Sequence, residues 1–185
     1  MTVRRADRVV RAMLAAIVMP GAASAAMAAE PPKLAAPNVV EISPWLVTSG
    51  QPTPAGLASL KSLGFEAVVY LAPPTVGDAV RDEATIVGRQ GLVYVNLPVD
   101  FEAPTSRDVD AFVGVLDALR GRKVLVHCQV NLRASSMVFL YRVVALKEEP
   151  RVAYAAVSGV WAPHGAWRRL IETELARRGI RFELL

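Results

Sequence analysis

Residues 123–136 read Lys123-Val124-Leu125-Val126-His127-Cys128-Gln129-Val130-Asn131-Leu132-Arg133-Ala134-Ser135-Ser136, and an apolar stretch follows at 137–146. The run at 123–126 predicts a short central strand, and the apolar stretch predicts a helix buried almost all round. A strand, a tight loop and a helix in that order gather the loop's N–H groups at the helix N-terminus. Unpaired donors and the helix dipole coincide there, which suits an anion of phosphate size. Cys128 stands at the mouth of this nest, where the same field, helped by Arg133, favours the nucleophilic thiolate. Arg133 offers a planar, two-pronged donor for two oxygens of a tetrahedral oxyanion, a geometry that lysine lacks. Gln129, Val130, Asn131, Leu132 and Arg133 are therefore the candidate anion-binding residues. His127 is expected to order the loop by hydrogen bonding rather than to act as a base. Ser135 or Ser136 could donate a hydroxyl to the sulfur.

Upstream, strand-length apolar runs alternate with segments of helical period, which points to a layered α/β domain. A strand at 45–48 ends at Ser49-Gly50-Gln51-Pro52, which reads as strand and turn, and Thr53 before Pro54 predicts a helix from there to residue 63. Gly64 stops it, and 66–71 is the next strand. A second helix at 80–90 and a strand at 92–97 repeat the unit. Thr105 with Asp108 three residues later predicts a capping box opening a helix over 106–119. Buried parallel strands collect their ligands at the carboxyl ends, so Asp100 and Glu102, just beyond the strand at 92–97, are candidate acids above the cysteine loop, Asp100 first. Trp161, His164 and Trp167 read as packing of a C-terminal helix pair, and the charges at 168–181 as a solvated face.

The 185-residue chain suits one domain, and its single cysteine excludes a disulfide framework and any multi-thiolate zinc site. With two distant histidines, no metal and no other cofactor is expected. Of the net charge of +4, three units belong to the first 29 residues, through Arg4, Arg5, Arg8 and Arg11 against Asp7. A body this close to neutral argues against nucleic-acid binding. The opening segment has a basic start, a short apolar run at 12–19 and small residues up to Ala29, the layout of a cleavable signal peptide. Export to the periplasm follows, with no stable membrane anchor after cleavage. Residues 30–38 read as a tether and 39–185 as a single domain.

Ser49-Gly50-Gln51-Pro52, Leu97-Pro98-Val99-Asp100 and His127-Cys128 through Arg133-Ala134-Ser135 together resemble the cysteine-dependent protein tyrosine and dual-specificity phosphatases, closest to the bacterial group that includes beta-lactamase-hydrolase-like phosphatase domains. The resemblance spans about 39–167. It implies a three-layer α/β fold with a central, mostly parallel sheet flanked by helices, the active loop lying between a central strand and a buried helix. It also implies a phosphocysteine intermediate at Cys128, phosphoryl binding by Arg133 and an acid from a separate loop, with a phosphorylated protein or small phosphate ester as substrate. Four residues, Gln129 to Leu132, separate cysteine from arginine where the common signature has five. The bacterial group is similar to this chain in that shorter spacing, as are the rhodaneses. Asn131 stands where many relatives have glycine. Two other readings use the same loop: a rhodanese-like sulfurtransferase, against which Leu71-Ala72-Pro73 lacks the acidic and arginine strand end, and a catalytically silent phosphate-binding module.

Overall fold

A computed structural model describes residues 33–184, and the expected signal peptide at 1–29 lies outside these described residues. Five strands form one sheet in the order β1-β2-β5-β3-β4. They are β1 (Val40–Ser43), β2 (Leu46–Ser49), β3 (Ala67–Tyr70), β4 (Val93–Asn96) and β5 (Val124–His127). All pairs are parallel except β1 with β2, a hairpin with an irregular register between Glu41 and Ser43. β1 was not expected. Its residues are at most partly buried at the sheet edge, so they lack the apolar run that marks β3 and β5.

Helices α1 (Pro54–Ala58) and α2 (Glu83–Gly88) cover one face, over a core of Val47, Leu57, Leu60, Val68, Val87 and Leu125. The other face is covered by α3 (Ser106–Ala118), α4 (Leu132–Val144), α5 (Pro150–Ser158) and α6 (Gly165–Arg177). Their core includes Val69, Phe112, Leu116, Val126, Met137, Phe139 and Trp167. The three-layer α/β architecture is the expected one, with β5 in the middle of the sheet between two parallel neighbours.

Several boundaries differ from expectation. α1 stops at Ala58 rather than near residue 63, because the hydroxyls of Ser59 and Ser62 bond back to the carbonyls of Gly56 and Ser59 and the chain continues in turns. α2 is shorter than 80–90. α4 starts at Leu132, one turn and more before the apolar run, and every residue from Arg133 to Val144 is buried. The Thr105–Asp108 capping box is present in full.

The tether is also corrected. Within 33–38, Ala35 O accepts from Thr53 N, Pro37 O accepts from Gly50 N at 2.7 Å, and Asn38 Nδ2 donates to Val130 O. The compact unit accordingly spans Pro32–Leu185. Proline-rich composition misled here, since this segment is fixed by hydrogen bonds and by Leu34, which packs against the core of Val47 and Leu57. Nor is the charged end wholly solvated. The Glu174 side chain is fully buried, held by Arg177 and Arg178.

Candidate active site

Three loops leave the carboxyl ends of β3, β4 and β5 and meet above the sheet. The loop after β5 is the tightest. Asn131 makes the turn into α4 with φ +73°, the left-handed region that asparagine tolerates best among residues with a side chain. Its Nδ2 donates to Asn38 O at 2.7 Å and to Thr48 Oγ1 at 3.0 Å. The side chain thus fastens the loop to β2 and to the strap at 35–38, and Asn131 lies under the pocket rather than in its wall.

β2 braces the same loop from the side. Cys128 N donates to Ser49 O at 3.3 Å and Gln51 N to Gln129 O at 2.9 Å. Gly50 is required at this crossing, because a Cβ there would stand 2.8 Å from Gln129 O and 3.1 Å from the Cα of Val130. Ser135 N is the first amide after the loop to reach a backbone acceptor, Asn131 O at 3.0 Å. Among the described residues, the amides of Gln129, Val130, Leu132, Arg133 and Ala134 donate to no loop, turn or cap carbonyl. That leaves a curved run of donors at the start of a 13-residue helix, the arrangement that receives oxyanions.

Cys128 is only 1% exposed, yet it forms part of the floor of an open cavity of about 400 Å³ lined also by Asp78, Phe101, Glu102, Gln129, Val130, Leu132 and Arg133. The sulfur is recessed rather than sealed. Arg133, 7% exposed, reaches the same cavity from the first turn of α4. Its Nε donates to Val99 O at 2.9 Å, Nη1 to Gln129 Oε1 at 3.3 Å, and its plane lies 5.0 Å from the Phe101 ring centre. Nη2 has no acceptor among the described residues, which leaves a fixed donor for the cavity.

His127 faces the other side of the sheet. Its Nε2 lies 2.6 Å from Glu83 Oε1, and Glu83 Oε2 accepts from Gln51 Nε2 at 2.8 Å. Tyr70 stacks on the imidazole at 4.7 Å. The tyrosine's pKa is pushed up to about 12, by burial first and then by Glu83, Asp78 and Cys128. Neither serine bonds to the sulfur: Ser135 Oγ donates to Leu132 O at 3.2 Å, and Ser136 Oγ is buried without a partner. Helical backbone takes the hydroxyl that the sequence reading offered to Cys128.

The two candidate acids separate. Glu102 lines the cavity. Asp100, expected there first, does not: its Oδ1 accepts from Glu102 N at 2.9 Å and closes a turn of the loop after β4. That loop is gripped by α6, since Trp167 Nε1 donates to Phe101 O at 3.0 Å while Phe101 packs on Trp161 and Trp167. Asp78, Glu83 and the Phe101–Trp167 contact were not foreseen. Asp78 lies in an uncharacteristic polar loop, and Glu83 resembles an ordinary first-turn carboxylate, so neither carries a sequence signal.

Residues 39–166 match the family described as DSP-PTPase phosphatase fused to NAD+ kinase. The chain belongs to that family. That places it in the cysteine-based tyrosine and dual-specificity phosphatase superfamily, as the motifs implied. A DUF442 protein of Shewanella putrefaciens CN-32, described as a candidate phosphatase, is 31% identical with a TM-score of 0.70, covering 77% of this chain and 91% of its own. The beta-lactamase hydrolase-like protein of Xylella fastidiosa strain Temecula1 is 29% identical over 112 residues, 58% of this chain. The DSP-PTPase chain spans only 25% of that relative's length. P. aeruginosa TpbA in complex with phosphotyrosine shares the fold at 23% identity and a TM-score of 0.55, covering 77% of this chain and 84% of its own.

Proposed function

We propose that this DSP-PTPase cleaves phosphomonoesters through a phosphocysteine at Cys128. The sulfur attacks phosphorus in line, the P–O bond to the alcohol breaks, and the departing oxygen takes a proton from an acid on the loop after β4. Water then attacks the phosphocysteine. The same acid, now a carboxylate, accepts the water's proton, inorganic phosphate leaves and the thiolate is restored. The amides of Gln129, Val130, Leu132, Arg133 and Ala134, with the Arg133 guanidinium, stabilise the equatorial oxygens in both steps.

One observation carries this reading: the only cysteine sits at the base of a cavity between a run of amides lacking backbone acceptors and a guanidinium with a free nitrogen. For the acid we assign Asp100, on the loop that Arg133 Nε fastens through the Val99 carbonyl, a role that requires its side chain to leave the turn it closes at Glu102 N and swing into the cavity. Glu102, on the cavity wall, is the alternative. His127, bound to Glu83, is assigned to holding the loop rather than to proton transfer. The substrate is a phosphorylated protein or small phosphate ester. From the character of residues 1–29 we propose export to the periplasm, without a lasting membrane anchor.

The test is rapid-quench kinetics on an aryl phosphate. The native protein should release the phenol in a burst stoichiometric with enzyme and form a phosphoprotein that rapid denaturation traps, and Cys128→Ser should do neither. Steady turnover by Cys128→Ser at the native rate overturns the reading.

A further inference from the structure

The cavity above Cys128 has an unbalanced set of charges. Its lining contains one cation, Arg133, and two carboxylates, Asp78 and Glu102, contributed by the loops after β3 and β4. A single side chain joins opposite signs: Gln129 Nε2 donates to Asp78 Oδ1 at 2.9 Å while its Oε1 accepts from Arg133 Nη1. Asp78 is thereby held at the cavity, and among the described residues its Oδ2 and the Nη2 of the buried Arg133 have no partner.

A phosphoryl group bound at Cys128 occupies Arg133 and the helix-start amides, which exhausts the positive charge of the lining. The remainder of the substrate then meets Asp78 and Glu102 among Phe101, Val130 and Leu132. Tyr70, beneath the site, registers the same imbalance. After burial, Glu83 and Asp78 raise its pKa, and the opposing influence of Arg133 is the weakest of those acting on it. A second phosphate or carboxylate on the substrate would face like charge in a partly desolvated cavity, whereas an ammonium or guanidinium would be attracted.

We propose that the site selects phosphomonoesters whose alcohol portion combines an apolar attachment with a cationic group, and rejects polyanionic esters, Asp78 being the residue that sets this preference. The inference rests on the phosphatase mechanism above and names the substrate class for that site.

The test uses matched phosphotyrosine peptides differing only in Lys or Glu at the positions flanking the phosphotyrosine, and a non-peptide pair, phosphoethanolamine and phosphoglycolate. Within each pair the cationic ester should have kcat/KM higher by about tenfold, chiefly through KM, with the ratio shrinking as salt rises. Which pair has the higher kcat/KM tells whether a peptide or a small ester presents the cation. Asp78→Asn should bring the ratio towards one and Asp78→Lys should invert it. Because each ratio is taken within one variant, a general loss of activity cancels. A native ratio near one, or a ratio indifferent to both Asp78 variants, overturns the inference. Phosphate release that survives in Cys128→Ser overturns the mechanism instead.

Discussion

Arg133 Nε donates to the Val99 carbonyl at 2.9 Å, so the guanidinium facing the thiol is fastened to the residue just before Asp100. The anion-binding loop and the loop after β4 are therefore one mechanical unit, further clamped by Phe101 against Trp167. Lysine cannot keep the Nε bond and still present a second nitrogen. Arg133→Lys should lower kcat/KM by about 10²–10³ with little change in thermal stability. Steady-state assays beside a melting curve check this, and a drop below tenfold refutes the assigned role.

Asp100→Asn should lower kcat/KM for alkyl phosphates by about 10²-fold while sparing kcat/KM for aryl esters with acidic phenols, which leave without a proton. A plot of log kcat/KM, which reports the first displacement alone, against leaving-group pKa should steepen. If Glu102→Gln steepens it and Asp100→Asn does not, the acid is two residues further along the loop.

Gly50→Ala drives a methyl group to 2.8 Å from Gln129 O, and the rigid neighbour there is backbone, so the loop has to shift. Displacements of about 1 Å in a catalytic loop cost roughly 10² in rate. The expected result is a folded protein, by circular dichroism, with kcat reduced at least tenfold and weaker vanadate binding. Native kinetics in this variant would show that the brace from β2 is dispensable.

Asn131→Ala removes the bonds to Asn38 O and Thr48 Oγ1 while leaving a non-glycine residue at φ +73°. Together these should destabilise by about 2–4 kcal/mol. Asn131→Gly loses the same bonds without the backbone penalty and should be less damaging. Urea midpoints for both variants decide the order, and a glycine variant worse than alanine contradicts it.

Glu174 supplies a pH test. Burial pushes its pKa up, but hydrogen bonds from Ser106, Arg177 and Arg178 outweigh that and hold it below the ordinary carboxylate value of 4.5. Its contribution is therefore complete above pH 4.5, the unfolded-state value, and is lost as pH falls through the lowered folded-state value. Glu174→Gln should lower stability by about 1–3 kcal/mol at pH 7. The gap should narrow below pH 4.5; a gap that widens in acid would reverse the sign argued here.

The sequence made the sheet legible because β3 and β5 are buried on both faces and read as apolar runs, and β2 begins on Leu46 and Val47 before a turn signal, while Thr105 and Asp108 mark the start of α3. The sulfur and the guanidinium were legible for a different reason, since a strand, loop and helix in immediate succession leave few places for residues 128 and 133. Asp78, Glu83 and Trp167 were not. Each depends on contacts between segments tens of residues apart, as in Glu83 with His127 and Trp167 with Phe101. The strap at 35–38 was missed because it lies in a tether, 30–38, whose Pro31, Pro32 and Pro37 suggest solvent exposure, whereas its carbonyls pair with residues 50, 53 and 131.

That strap gives the molecule a direction of mechanical sensitivity. Tension applied to the amino end passes through the Ala35, Pro37 and Asn38 bonds into Thr53, Gly50, Val130 and Asn131. Whatever tethers, trims or pulls the polypeptide ahead of Val39 therefore acts on the curvature of the turn that cradles the substrate's oxygens.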